Sequence, residues 1–270
     1  MKYDIINANT YEDLADFLII PAENKLFTSD FLRKDGIIMA KTDYIDYLFE
    51  NLKFSGRNYV LITGHSDYPI DEFRFKKKPS CIKKWFSNNV QYNHLDLIPI
   101  PVGLYVHRGF TKNVFFKFDI DWFDENVERL HNNEKILDTV HCSWNSTNAN
   151  RNKILDDLTN LGIKYHWVSG KSYEEYCETM SHYKFVISPP GNAPDCFRTW
   201  EAMHFGCIPV VIKTRLTKEC SELPMIQLNN YNELSNELMQ SYLNKTFNME
   251  KLYMKYWKNK IINAFNKIKK

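Results

Sequence analysis

The second half of the chain alternates short apolar runs with amphipathic stretches. The apolar runs, each the length of a buried strand, lie at residues 137–142, 163–168, 185–188, 207–212 and 225–228. The stretches between them repeat apolar side chains every three or four residues, which predicts helices at residues 150–161, 172–181 and 194–205. Strands that alternate with helices of this length predict a parallel sheet with right-handed connections.

The first half shows the same alternation less regularly. Apolar runs predict strands at residues 36–40, 59–63 and 95–100, and apolar spacing predicts helices at residues 11–17, 44–52 and 81–86. The acidic and aromatic segment at residues 105–133 has no clear period, and we place the hinge between the two halves there. We therefore expect an α/β fold, with domains at residues 1–133 and 134–248 and a last helix at residues 249–270.

The last helix combines apolar side chains with many lysines, so its pattern is amphipathic. Two interpretations are open at this point. The helix could present a basic surface for peripheral contact with anionic lipid. Alternatively, it could close the fold by packing back onto the first domain.

Composition and charge exclude several classes of protein. The chain has 270 residues, of which 44% are hydrophobic, so it can bury substantial cores. Its net charge of only +2 gives no electrostatic reason to expect a nucleic-acid partner. No apolar run is long enough for a membrane span, and the N-terminal residues lack the apolar core of a signal peptide. The six cysteines include no CxxC pair, so we expect free thiols.

Residues 188–212, SPPGNAPDCFRTWEAMHFGCIPVVI, contain the most informative pattern in the chain. At about 100° per residue, Asp195, Arg198 and Glu201 fall on one face of the predicted helix. The N-terminus of a helix attracts anions, a guanidinium one turn further can add a forked pair of donors to a phosphate, and a carboxylate can accept from the diol of a ribose. The alternative is a helix in which Asp195 pairs with Arg198 and no ligand binds.

The loop before this helix belongs to the same expected nucleotide site. Loops that follow parallel strands line the ligand crevice of open α/β sheets. Gly191 lets the backbone approach a ligand because it has no Cβ atom. We place Ser188 and Asn192 in the site for the same topological reason.

The stretch resembles the signature of the exostosin-type glycosyltransferases. The matching residues, in order, are Pro189, Gly191, Asp195, Arg198, Glu201-Ala202 and the run GCIPVV at residues 206–211. Two positions depart from the pattern, since Pro190 stands where the family usually has Arg and Cys196 where it has Ser. The resemblance implies a GT-B fold, in which two Rossmann-like domains flank a cleft and the second domain holds most of the nucleotide sugar.

The resemblance also implies an activity. We expect a hexosyl- or pentosyltransferase of glycan biosynthesis that moves a sugar from a UDP- or GDP-linked donor to a glycan or another hydroxyl acceptor, with inversion and without a cofactor. Arg151 is a second candidate cation for the donor, and the loop before it adds Ser143 and Asn145. A non-catalytic nucleotide- or sugar-binding α/β protein is the alternative.

A metal site is not expected. The chain contains one Asp-x-Asp pair, Asp119 and Asp121, but it lies in the aperiodic segment and not at a strand end. Animal and plant members of the family typically carry an N-terminal membrane anchor. Because no such anchor is visible here, we expect a cytoplasmic enzyme of bacterial or viral origin.

The catalytic base is expected in the first domain, in the loop directly after the strand at residues 59–63. Asp67 and His65 are the candidates. The unperturbed pKa of histidine suits proton transfer near neutral pH, whereas an aspartate needs help from its surroundings. We favour Asp67, because exostosin-like sequences often show a Ser-Asp or Arg-Asp pair here. His107 and Arg108 are weaker candidates for the acceptor site.

Overall fold

The computed structural model describes residues 4–19, 32–105, 120–145 and 147–269. Within these residues the chain forms two five-stranded sheets in which every strand pair is parallel. The prediction of an α/β protein with parallel sheets is confirmed.

The first sheet follows the order of the chain. Its strands are β1 (Phe17–Ile19), β2 (Gly36–Lys41), β3 (Tyr59–Gly64), β4 (Ile82–Ser87) and β5 (Leu97–Pro99), in the order β1-β2-β3-β4-β5. The helices of this half are α1 (Ala8–Glu12), α2 (Ile45–Leu52) and α3 (Glu72–Lys76). All six residues of β3 are buried, which agrees with its central position in the sheet.

The second sheet reverses its order. Its strands are β6 (Ile136–Cys142), β7 (Lys164–Trp167), β8 (Tyr183–Ile187), β9 (Ile208–Ile212) and β10 (Ile226–Leu228), arranged β10-β9-β8-β6-β7. The helices are α4 (Ile120–His131), α5 (Ile154–Asn160), α6 (Tyr173–Ser181), α7 (Phe197–His204), α8 (Arg215–Glu219), α9 (Asn236–Leu243) and α10 (Met254–Asn266). The reversal lies between β6 and β8.

Side chains from both halves meet in one apolar cluster. It contains Phe86 and Ile100 from the first half, Trp200 from α7, and Trp257 from α10. The chain just after helix α10 is also hydrogen-bonded to the first half, because the Nδ2 atom of Asn58 donates to the carbonyl of residue 268 at 3.0 Å. The domain boundaries and the cleft stay predictions.

Three sequence predictions of local structure were wrong. Residues 81–86 form most of strand β4 and not a helix, because pairing with β3 and β5 determines the structure of a segment whose apolar residues also fit a helical spacing. The predicted helix at residues 11–17 ends at Glu12, and Phe17 begins β1. The segment expected to be aperiodic contains α4, whose buried Phe123, Val127 and Leu130 recur at helical spacing among acidic residues.

Helix α7 begins at Phe197, three residues later than predicted, with Cys196 as its N-cap. The described helices include none with the length and hydrophobicity needed to cross a membrane. All six cysteines are free, and five of them are buried.

Candidate active site

The candidate site lies where the second sheet reverses its strand order. In open parallel sheets, ligands bind beyond the carboxyl ends of the strands at such a reversal. The loops that follow β6 and β8 leave the sheet there, and α7 begins at the end of the second loop. This geometry brings residues 143–145 and 147–151 together with residues 188–201.

Arg198 is the central cation of this region. Its Nε and Nη1 atoms are buried, and among the described residues they have no hydrogen-bond partner. No described carboxylate lies within ion-pair distance of it. Burial raises the pKa of Cys142 and of Tyr231 nearby, and the charge of Arg198 opposes that shift in both. Guanidinium nitrogens that are shielded from water and unpaired are costly, so this arrangement suits an anionic ligand.

Glu201 lies one turn further along α7 and is 4% exposed. Its Oε1 atom accepts from the hydroxyl of Tyr173 at 3.2 Å, and its Oε2 atom accepts from the hydroxyl of Tyr176 at 3.1 Å. Burial raises the pKa of Glu201, while the charge of Arg198 and the two hydroxyls oppose that shift. Each carboxylate oxygen keeps further acceptor capacity beyond its tyrosine.

Arg151 fastens the two loops to each other. Its Nε atom donates to the carbonyl of Pro190 at 2.8 Å, its Nη2 atom to that of Pro189 at 3.1 Å, and its Nη1 atom to that of Asn145 at 2.7 Å. A Cβ atom on Gly191 would lie 3.1 Å from the Nη2 atom of Arg151, which explains the glycine. In this structure the Arg151 donors bind loop carbonyls, and the side chain is 6% exposed.

The remaining polar residues of the loops differ in their surroundings. The Ser188 hydroxyl is buried and lies 2.8 Å from the hydroxyl of Thr199. Ser143 is half-buried and Asn145 is exposed beside it.

Asp195 links the two halves of the chain instead of pairing with Arg198. Its Oδ2 atom accepts from the backbone N–H of Val102 at 2.8 Å, and its Oδ1 atom accepts from the indole of Trp200 at 2.9 Å. Burial raises the pKa of Asp195 to about 6, although both donors favour the ionised form. Gly103 fixes the approach of the loop, since it has a φ of +69° and an added Cβ would lie 2.0 Å from the carbonyl of Ile6. The ligand-free alternative, an Asp195–Arg198 pair within the helix, does not form.

The two candidate bases lie after β3, in different environments. The Oδ2 atom of Asp67 accepts from the Nδ2 atom of Asn192 at 3.2 Å, so the loops after β3 and β8 meet. Asp67 is exposed. The Nε2 atom of His65 lies 2.7 Å from the Oε1 atom of Glu12, and the His65 side chain is 8% exposed.

Comparison of the sequence with models of protein families identifies the family of this chain. The Exostosin GT47 domain matches residues 7–239. This chain belongs to the exostosin GT47 family. Membership makes the protein a glycosyltransferase, and the match includes both Asp67 and Arg198. No curated protein matches the chain.

The candidate site of this exostosin GT47 protein contains a histidine that the sequence did not predict. His141 is fully buried on β6, and neither ring nitrogen has a hydrogen-bond partner in the described residues. Burial lowers the pKa of His141 to about 3, with help from the charges of Arg198 and His166, so the ring is neutral at neutral pH. The only available signal was a polar residue inside the apolar end of a predicted strand.

Two further sequence expectations for this GT47 chain involve residues outside the described part. His107, Arg108 and Asp119 all lie there. Asp121 is described, in the first turn of α4.

Proposed function

We propose that this exostosin GT47 protein transfers a sugar from a UDP- or GDP-linked donor to a hydroxyl of a glycan or another acceptor. The observation that supports the proposal is the Arg198 guanidinium at the strand reversal, where two of its nitrogens are shielded and have no hydrogen-bond partner in the described part of the chain. A diphosphate supplies the missing counter-charge and accepts from a guanidinium in forked geometry.

The rest of the donor site is built around this cation. The loop at residues 188–192 offers backbone groups to the diphosphate, and Arg151 holds that loop in place through the carbonyls of Pro189 and Pro190. Glu201 accepts from the ribose diol with the capacity its two tyrosines leave open. In the GT-B arrangement we propose, the acceptor approaches from the first sheet, across a cleft closed by α10.

The transfer inverts the anomeric centre. The acceptor oxygen forms a bond to the anomeric carbon while the bond from that carbon to the diphosphate oxygen breaks. Asp67 takes the proton of the acceptor hydroxyl, and Arg198 stabilises the charge that develops on the leaving diphosphate. Asp67 suits the role better than His65, because it is exposed and touches Asn192 on the donor loop, whereas His65 is held by Glu12. Arg198 takes the place of a divalent ion in this scheme.

The test is a turnover screen with UDP- and GDP-sugars against glycan acceptors, read by release of nucleoside diphosphate and by NMR of the product anomer. We expect one donor to turn over with inverted configuration, at a rate that a chelator leaves unchanged. Product with retained configuration contradicts the role of Asp67. Loss of activity with chelator and its return with manganese contradicts the metal-free scheme. Tight nucleotide binding without turnover favours the non-catalytic alternative.

A further inference from the structure

A turn after α2 exposes an aromatic ring that the fold does not use. The side chain of Phe54 is 92% exposed, the most of any large hydrophobic residue in the described part of the chain. The turn itself is well defined, because the N–H of Ser55 donates to the carbonyl of Leu52 at 2.9 Å and its hydroxyl lies 3.0 Å from that of Tyr59. The ring is therefore displayed on an ordered backbone.

Three segments converge beside this turn, at Asn58. The Nδ2 atom of Asn58 donates to the carbonyl of Ile268, just after α10, at 3.0 Å. Its backbone N–H donates to the Oδ1 atom of Asp35 at 2.9 Å, and its carbonyl accepts from the N–H of Gly36 at 3.3 Å. The start of β2, the start of β3 and the end of α10 thus share one corner of the molecule.

The surface at this corner is basic. We define the basic-aromatic patch as Leu32, Lys34, Lys53, Phe54, Arg57, Lys267 and Lys269, all of which are exposed. Among the described residues, no carboxylate lies within ion-pair distance of Lys53, Arg57, Lys267 or Lys269. The Nζ atom of Lys34 lies 3.8 Å from the carboxylate of Asp16, and the carboxylate of Asp35 accepts from the backbone N–H of Asn58. The patch has five basic side chains against the two nearby carboxylates of Asp16 and Asp35, so a net positive charge surrounds the exposed ring.

A second exposed aromatic shows what a compensated surface looks like. Phe73 on α3 is 69% exposed and also lies among cations. Those cations are paired: Lys76 lies 2.8 Å from Glu72, and Lys77 lies 3.1 Å from Asp46. The α3 surface therefore has nearly balanced charge and serves as a matched control.

We propose that the basic-aromatic patch docks the protein on an anionic lipid bilayer. Basic side chains bind the negative surface of such a membrane, and an exposed Phe inserts at the level of the headgroups. The patch lies at the amino ends of β2 and β3, so Asp67 is at the opposite end of β3, about 20 Å away for a strand of this length. The docked protein therefore holds the Asp67 end of the sheet away from the lipid.

Co-sedimentation with vesicles tests this proposal, and it does not depend on catalytic activity. We expect the full chain to bind vesicles that contain phosphatidylglycerol and phosphatidylcholine at low salt and to dissociate from them at high salt. Vesicles of pure phosphatidylcholine should not bind it. The double change Lys53→Gln with Arg57→Gln should weaken partitioning about 25-fold, since each basic residue contributes roughly fivefold. Phe54→Ser should weaken binding, and Phe54→Trp should restore it with a blue shift of fluorescence.

The matched controls are Phe73→Ser and the double change Lys76→Gln with Lys77→Gln, which should leave vesicle binding intact. Thermal unfolding of every variant checks the fold, and these exposed side chains should have little effect on it. Failure of the wild-type chain to bind anionic vesicles at low salt overturns the proposal. Equal losses from the patch and control variants overturn it as well, as does binding that Phe54→Ser leaves unchanged and heparin fully displaces.

Discussion

The Nδ2 atom of Asn192 donates to the Oδ2 atom of Asp67 at 3.2 Å, across 125 positions of sequence. This contact joins the loop after β8, which carries the proposed diphosphate site, to the loop after β3, which carries the proposed base. Another contact between the halves runs from the N–H of Val102 to Asp195, which lies three residues further along the chain from Asn192. The geometry therefore places the proposed proton acceptor at the edge of the proposed donor site.

The first prediction concerns the base. Asp67→Asn keeps the size and the contact with Asn192 but cannot take a proton, so we expect kcat to fall about 10²- to 10⁴-fold. His65→Gln should have a much smaller effect, because His65 is engaged with Glu12. Steady-state kinetics measures both. A large loss with His65→Gln beside normal turnover of Asp67→Asn would transfer the role to His65.

The second prediction concerns the diphosphate. Arg198→Lys keeps the positive charge but loses the paired N–H donors of the guanidinium. We expect kcat/KM to fall about 10²- to 10³-fold, the range seen when one hydrogen-bond donor to a developing charge is removed. Arg215→Lys is the matched control, because Arg215 is also half-buried but donates to the carbonyl of Tyr92. Equal losses in the two variants would point to a general effect on the fold.

The sequence predicted the strands of the second half within a few residues. A buried parallel strand is a continuous apolar run, and turn-forming residues mark where it ends. It could not separate a strand from a helix at residues 81–86, since the apolar residues of CIKKWF, on either side of two lysines, also fit a helical spacing. The nitrogens of His141 and Arg198 that lack a partner among the described residues are brought to their positions by the order of the strands in the sheet. Such relationships arise only from tertiary packing, so local pattern did not reveal them.

The third prediction separates a positioning role from a binding role at Arg151. Arg151→Lys loses most of the bonds to the loop carbonyls, so we expect a loss of unfolding free energy of about 2–3 kcal/mol, typical of hydrogen bonds from a charged group. KM for the donor should rise while kcat changes little, because the loop loses its support. Urea unfolding and kinetics give the two readouts. Unchanged stability with abolished donor binding would mean that Arg151 contacts the donor directly.

The fourth prediction concerns acid stability. Burial lowers the pKa of His204 to about 3, and its ring packs against Phe123 and Tyr253. Between pH 6.5 and pH 3 the His204 ring binds a proton in the unfolded chain but not in the folded chain. The stability that is present above pH 6.5 is therefore lost as the pH falls. Each pH unit below the unfolded pKa changes the free energy of unfolding by about 1.36 kcal/mol, so the loss of unfolding free energy from His204 reaches about 2 kcal/mol at pH 5.

His141 acts in the same direction, whereas Asp195, with its pKa raised to about 6, loses stability as the pH rises from about 4 to 6 and so opposes them. Burial also raises the pKa of Glu201, so this carboxyl group opposes the histidines as Asp195 does. The contribution of His204 is therefore read as the difference in pH dependence between the wild type and a variant. His204→Gln should flatten this dependence by about 2 kcal/mol, as measured by urea unfolding at each pH. A slope identical to that of the wild type would show that His204 does not titrate as described.

The most direct test of the central claim is a calorimetric titration of UDP and GDP into the wild-type chain and into the Arg198→Lys variant. We predict that the wild type binds one of the two nucleotides at a single site and that Arg198→Lys weakens this binding strongly, while Arg215→Lys leaves it intact. Binding of equal strength in the wild type and in Arg198→Lys, or no binding of either nucleotide by the wild type, would contradict the account.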